Sequence, residues 1–284
     1  MKKIIYQGIE GSFSYLTAFK IFGKNNKFIS ANEFKEIFDA VSSKKADYGI
    51  IPIENSLAGS VYENFDLLIK YDVIVCGEAY HKVNLNLLGI KTKLPISLRL
   101  KYLRKVYSHP KALEQCKKFF EKFPYIEKIS FSDTARAAKF VAENNDISLG
   151  AIASKECAKI YKLQILKKNL EDYKFNFTRF LIITNKENYK INPQVNKCTL
   201  IFILPHIPGS LYKALEIFAI NKFNLTKLES RPIPNKPFEY FFFLDFVFNN
   251  ISPKKVINII LKELSKRTKK LKILGFYKEA KLKY

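Results

Sequence analysis

Residues 34–41 read Phe34-Lys35-Glu36-Ile37-Phe38-Asp39-Ala40-Val41, and a few positions on comes Tyr48-Gly49-Ile50-Ile51-Pro52-Ile53. In the first stretch Phe34, Ile37, Phe38 and Val41 recur at helical spacing and form one apolar stripe, while the second is a short apolar run of strand length. A helix feeding a buried strand is the repeating unit of layered α/β folds. The alternation continues outward in both directions. Segments 4–7, 73–80, 83–90, 105–108, 128–132, 149–153 and 180–184 also read as short apolar strands, with helical patterns between many of them. Pro110 suits a first helical position, and Leu113, Cys116, Phe120 and Phe123 behind it predict one helix; Asp133 is placed to cap another that runs through Asn144.

The polar stretch Asn185 to Lys197, with Pro193, reads as a linker. A smaller unit follows it. Thr199–Leu204 is a strand, Gly209–Asn221 a helix with Leu211, Leu215 and Phe218 on one face, and Leu225–Ile233 a strand ending at prolines. Tyr240–Phe248 is another strand, Ser252-Pro253 opens a helix through Lys269, and Leu271–Tyr277 closes the set. The order βαββαβ is a ferredoxin-like plan. Two domains are therefore expected, at 1–185 and 197–280, in a chain whose 284 residues are 48% hydrophobic.

The formal charge of +23 would ordinarily point to nucleic acid or an anionic membrane. Here the excess is almost wholly lysine and comes with abundant Asn, Ile, Phe and Tyr and no Trp, the residues of A/T-rich codons, and no recognition motif or basic-aromatic patch accompanies it. Its remaining expected effect is a field that draws in dianionic metabolites. No apolar run approaches the roughly 18 residues of a membrane span, and Met1-Lys2-Lys3 leads into no signal-like segment, so the cytoplasm is expected. Cys76, Cys116, Cys157 and Cys198 are scattered without a Cys-x-x-Cys pair or matching His spacing, which suggests reduced, mostly buried thiols and neither a zinc site nor a disulfide framework.

Five loop clusters, each at the end of an expected strand, carry the chemistry. Gly8-Ile9-Glu10-Gly11-Ser12-Phe13-Ser14 has two glycines and two hydroxyls opening a helix, which is either an anion cradle or a plain Gly-rich turn. Pro52-Ile53-Glu54-Asn55-Ser56 puts acid, amide and hydroxyl in succession after a buried strand. Ser108-His109-Pro110 and Asp133-Thr134-Ala135 follow; alone, His109 reads as a helix-terminus histidine and Thr134 as a capping-region hydroxyl. The fifth is Asn176-Phe177-Thr178-Arg179-Phe180. Arg179 there is either a surface ion pair or a two-point clamp for a carboxylate, with Thr178 beside it as a donor to a leaving group.

Taken together the clusters resemble prephenate dehydratases, which carry the same blocks in the same order: a Gly-x-x-Gly-Thr-Phe-like start, Pro-Ile-Glu-Asn-Ser, a block that here reads SHPKALEQC from Ser108 to Cys116, a Thr-Ala helix start, and Thr-Arg-Phe. The second unit is similar to ACT regulatory domains, with Pro208-Gly209-Ser210-Leu211 at its first helix and Glu229-Ser230-Arg231-Pro232 ending its second strand. Departures are Ile9 for the usual proline, Ser12 for threonine, Asp133 for serine, Lys162 where Tyr-Gly-Leu is usual, and Ser210 for alanine. With no chorismate-mutase-like helix before Ile4, the stand-alone form is expected.

The resemblance implies an α/β, two-lobed, periplasmic-binding-protein-like catalytic domain with its site in the cleft, followed by a ferredoxin-like ACT domain. It implies decarboxylating dehydration of prephenate to phenylpyruvate, without metal or organic cofactor. Arg179 is then expected on the pyruvyl carboxylate and Thr178 at the departing hydroxyl, with Glu54 or His109 as other proton sources. Gly11, Ser12, Asn55, Ser56, Ser108, Thr134, Ala135 and Phe180 would complete the substrate site. L-Phenylalanine, as effector, would meet Gly209, Ser210, Leu211, Glu229, Ser230, Arg231 and Pro232 between subunits of a homodimer or homotetramer. The rival readings are an arogenate dehydratase and a non-catalytic amino-acid or dicarboxylate sensor.

Overall fold

The computed structural model describes residues 1–233, 236–249 and 251–282. Its first lobe holds β1 (Lys3–Gln7), α1 (Phe13–Phe22), β2 (Lys27–Ala31), α2 (Phe34–Ser42), β3 (Tyr48–Asn55), β4 (Gly59–Ser60), α3 (Tyr62–Lys70) and β5 (Ile74–Lys82). The chain then crosses to a second lobe made of β6 (Asn86–Gly89), α4 (Ile96–Tyr102), β7 (Lys105–Ser108), α5 (Pro110–Glu114), α6 (Lys117–Lys122), β8 (Glu127–Ser130), α7 (Thr134–Asn144), β9 (Leu149–Ala153), α8 (Lys155–Ile160) and β10 (Gln164–Lys167). It returns as β11 (Phe177–Thr184), which enters the first sheet between β3 and β5 in the order β2-β1-β3-β11-β5, with β4 paired to β3. The second lobe is ordered β10-β6-β9-β7-β8. Two crossings between two sheets make the two-lobed architecture, and β11 is the returning strand.

The C-terminal unit consists of β12 (Lys197–Ile203), α9 (Ser210–Ile220), β13 (Asn224–Pro232), β14 (Tyr240–Val247), α10 (Pro253–Ile259) and β15 (Lys270–Tyr277). Its sheet order, β13-β14-β12-β15, is that of a ferredoxin-like βαββαβ unit. One face of this sheet is closed by α9 and α10, and the residues between them, among them Leu200, Phe218, Phe246 and Val256, form a core of their own. The other face does not meet solvent. Ile201, Phe241, Phe243, Leu274 and Tyr277 share one continuous core with Ile51, Phe65 and Leu181 of the first lobe, and Phe65 meets Phe243 edge to face at 4.7 Å between ring centroids. Around that core Arg231 pairs with Asp66, and the Lys272 ammonium donates to the carbonyls of Leu68, Ile69 and Tyr71 at the C-terminal end of α3.

Sequence patterning holds for most elements, and its misses have local causes. β2 and β10, edge strands of five and four residues, lie outside the expected strand segments. The single helix expected behind Pro110 is two: the Asp172 carboxylate accepts the Lys117 and Lys118 amides, caps a new helix start there, and so breaks the run. The expected C-terminal helix ends before Lys269, its last turns being a π-turn at Ile260–Leu264 and a 3-10 turn at Ser265–Arg267.

Candidate active site

A cleft of about 330 Å³ opens between the two lobes. Its first-lobe wall brings Ser12, Phe13 and Ser14 from the start of α1 together with Asn55, Thr178 and Phe180 from the ends of β3 and β11. The facing wall offers His109, Lys111 and Gln115 around α5, with Asp133 and Thr134 at the start of α7. Both α1 and α7 thus begin at the cleft, as does the short α5. Ser12 Oγ accepts the Tyr15 amide and Asp133 Oδ1 accepts the Arg136 amide, which leaves the first-turn amides Phe13, Ser14, Thr134 and Ala135 without intrahelical partners.

Thr178 owes its orientation to Asn55. The Asn55 side chain is fixed from behind, since its Oδ1 accepts the Leu57 and Ala58 amides at 3.0 and 2.8 Å. Its Nδ2 therefore points at β11, donating to Asn176 Oδ1 at 2.8 Å and to Thr178 Oγ1 at 3.0 Å. Asn176 in turn donates to Gln115 Oε1 at 2.8 Å, so an amide chain runs from the second lobe to Thr178. Because Thr178 Oγ1 is an acceptor in this chain, its own hydrogen is available to a ligand in the cleft.

His109 is the other polarised group. Burial pushes its imidazole below the ordinary value, against a smaller opposing pull from Asp133. It is therefore neutral near pH 7, and because Nδ1 accepts the Lys111 amide at 3.2 Å, the ring hydrogen sits on Nε2. Asp133, also on this wall, is committed to Arg136 at 2.9 Å, and Lys111, whose ammonium pairs at the surface with Glu114 at 3.2 Å, is the lysine among the described residues that line the cleft.

Several expected site residues are elsewhere. Arg179 does not reach the cleft. Successive strand residues face opposite sides, so with Thr178 and Phe180 in the cleft the Arg179 guanidinium lies behind the sheet. There it pairs with Glu78 at 2.6 Å and Asp245 at 2.5 Å, 5% exposed. Glu54 likewise turns away from the cleft and pairs with Lys227 of β13 at 3.1 Å. Ser56 Oγ ties down the crossing segment through the Phe175 carbonyl and the Phe177 amide. Ser108 is fully buried, donating to the Ile152 carbonyl, and the Ala135 side chain is core. Gly11 supports the wall from behind: at φ +92° its carbonyl takes the Ser154 hydroxyl, and a Cβ there would meet Cys157 Sγ at 2.8 Å. Lys111 and Gln115, both within Ser108–Cys116, and Asn176, which precedes Phe177-Thr178, are the contributors that the motifs left unassigned.

In the C-terminal unit, Ser210 and Leu211 line a cavity of about 390 Å³ with Pro205, Ile207, Glu239 and Tyr240, and Gly209 caps α9 at φ +80°. Glu229 and Arg231 do not line it. They face the first lobe, where Ser60 Oγ donates to Glu229 at 2.6 Å and Asp66 pairs with Arg231 at 2.8 Å; Ser230 and Pro232, at alternate positions, are exposed. Among the described residues no group of His, Cys, Asp and Glu could hold a metal ion, and no helix is long and apolar enough to cross a membrane.

Two lobes that face each other across a cleft, with helix starts, a lysine and an oriented hydroxyl on its walls, are the features of an α/β protein with a site for a small organic anion. The family follows from comparison. The family model described as prephenate dehydratase matches residues 4–188, and the chain belongs to that family. It is 37% identical over 282 residues to the prephenate dehydratase of Methanocaldococcus jannaschii, covering 97% of this chain and 98% of that one. Among solved structures, the prephenate dehydratase of Staphylococcus aureus aligns with a TM-score of 0.80 at 26% identity, covering 97% of this chain and 99% of its own. One described as GqqA, a novel type of quorum quenching acylase, aligns at 0.85 and 30% identity, covering 98% of each chain.

Proposed function

We propose that the protein converts prephenate to phenylpyruvate, carbon dioxide and water in the formation of L-phenylalanine. The contact of Asn55 with Thr178 carries this reading, because it leaves the threonine hydrogen free for a departing oxygen. Prephenate has a ring carboxylate, a pyruvyl carboxylate and a ring hydroxyl. The Lys111 ammonium and the first-turn amides of α1 and α7 hold its charge, in place of Arg179, while Phe13, Val83, Leu85 and Phe180 supply the apolar wall for the ring. The bond from the ring to its carboxylate breaks and carbon dioxide leaves. Its electron pair enters the ring, the C–O bond to the hydroxyl breaks, and the oxygen departs with that bond's pair, taking the Thr178 proton to leave as water while the threonine oxygen is reprotonated from solvent. The His109 Nε2–H is a second donor on the facing wall. Aromatisation drives the reaction, and closure of the lobes strengthens each contact by excluding water.

Arogenate carries an ammonium in place of the keto group and would need an acid beside it. Lys111 opposes that charge and Asp133 is engaged with Arg136, so prephenate is favoured. Acyl-amide hydrolysis would require a hydroxyl activated by a base, whereas among the described residues neither Ser12 nor Thr178 is hydrogen-bonded to His109. The C-terminal unit acts as an ACT domain that binds L-phenylalanine, its carboxylate at the Gly209 and Ser210 amides and its ring beside Leu211. Ser230 and Pro232, on the outer strand β13, come from a second copy in a cytoplasmic homodimer or homotetramer.

The test is to incubate the purified protein separately with prephenate and arogenate and follow phenylpyruvate and phenylalanine. Turnover of prephenate, suppressed by millimolar phenylalanine, is expected. Turnover of arogenate alone reverses the substrate assignment, and turnover of neither removes the enzyme reading.

A further inference from the structure

β3 and β11 present two different surfaces to two different parts of the molecule. In their register Thr178 lies opposite Asn55 and Arg179 opposite Glu54. The first pair faces the cleft; the second faces the C-terminal sheet. Behind the strands Arg179 is held by Glu78 of β5 and by Asp245 of β14 and reaches the Tyr277 hydroxyl of β15 at 3.2 Å. Lys197 of β12 bonds both oxygens of Glu78 at 3.0 Å, and Thr199 links Asp245 to Tyr277 at 2.6 and 2.7 Å. This cluster has two acids and two bases and is closed to water. Beside it Glu54 pairs with Lys227, which also binds Glu229 and Ser60 at 3.2 and 3.1 Å.

We propose that Arg179 and Glu54 are positioning residues: each is one peptide from a cleft residue, and together they set the Asn55–Thr178 hydrogen bond according to where the C-terminal strands hold them. The inference rests on the dehydratase reading of the cleft. Its physical basis is the cost of separating buried charges. Drawing Asp245 away from Arg179 would strip Asp245 of its only cation among the described residues, leaving it Thr199 alone, and cost Arg179 one of its two carboxylates in a dry interior, so the strands of the two units move there as one body. A shift of β14 or β13 therefore displaces residues 179 and 54 and, through the shared backbone, Thr178 and Asn55. Proton donors lose efficiency on sub-ångström misplacement, so the C-terminal sheet sets the rate as well as the stability.

The informative variant is Arg179→Met with Asp245→Leu, which removes the link at no net change of buried charge because Glu78 keeps Lys197. In the full chain kcat for prephenate should fall by about fivefold or more with KM within about threefold, since the substrate contacts stay in place. Amide hydrogen exchange should quicken at 55–58 and 177–180. A variant that folds with a smaller fall in kcat, or with unchanged exchange in those segments, overturns the proposal. Should the double variant not fold, Lys227→Met, which frees Glu54, is judged by the same two readouts. If the wild type turns over neither prephenate nor arogenate, the dehydratase reading fails by itself, and the exchange comparison alone decides the positioning inference.

Discussion

At the scale of single residues the proposed chemistry concentrates on Thr178, whose hydroxyl oxygen accepts from Asn55 and whose hydrogen faces the cleft. Thr178→Ala should fold normally and lower kcat by roughly two to four orders of magnitude, the range for loss of an aligned proton donor. Steady-state kinetics within tenfold of wild type would take Thr178 out of the mechanism. His81 shows how burial alone makes a residue pH-sensitive. Its imidazole, beside Thr17 and outside the cleft, is pushed from 6.5 down to about 4, chiefly by desolvation and then by Lys20. As the pH falls below about 6.5 the unfolded chain takes up a proton that the native site refuses, so stability present above that pH is lost on the way to about 4, up to roughly 3 kcal/mol. Urea midpoints for wild type and His81→Gln should diverge at pH 7 and converge toward pH 4.5; parallel curves refute the assignment.

At the scale of elements, α8 ends in a left-handed turn that lacks its glycine. Lys162 sits at φ +56°, with its amide on the Lys159 carbonyl at 3.4 Å and the Leu163 amide on the Ala158 carbonyl at 2.9 Å, the hydrogen bonds of a Schellman ending. A side chain there is strained, so Lys162→Gly should raise stability by about 1 kcal/mol, read as a shift in the urea midpoint, with activity unchanged. Gly275 presents the opposite case. β15 passes so close to β5 that a Cβ on residue 275 would stand 2.0 Å from the Val75 carbonyl oxygen. Backbone cannot yield as a flexible side chain can. Gly275→Ala should therefore push the C-terminal sheet off the first lobe, lowering the melting temperature and exposing apolar surface to dye, and an unperturbed melt would show that the close approach is dispensable.

At the scale of the whole molecule the C-terminal unit is built into the first lobe. Its sheet completes the first lobe's core, and its Asp245 and Lys197 complete a buried neutral cluster with Glu78 and Arg179. The units should therefore unfold together in a single transition: calorimetric and van't Hoff enthalpies should agree, whereas two resolved transitions would mean that the shared core contributes little cooperativity.

The sequence by itself determined the α/β class, the two units, the βαββαβ order and five loops at strand ends, because apolar periodicity and capping residues are local properties that survive without knowledge of the fold. The family resemblance grouped Thr178, Asn55, Ser12, His109 and Thr134, which line one cleft, with Arg179, Glu54, Ser56 and Ser108, which do not. Only the tertiary structure decided which way side chains point. Thr178-Arg179 reads as one functional pair in the chain, yet strand alternation sends its members to opposite faces, and the role of the second depends on Asp245 and Lys197. Glu54 and Asn55 divide in the same way, one to Lys227 and the other to Thr178. A charged residue takes its role from whichever partner desolvates with it. For Arg179 that partner lies 66 positions along the chain, on a strand whose place against the first lobe is fixed by the shared core and by Gly275.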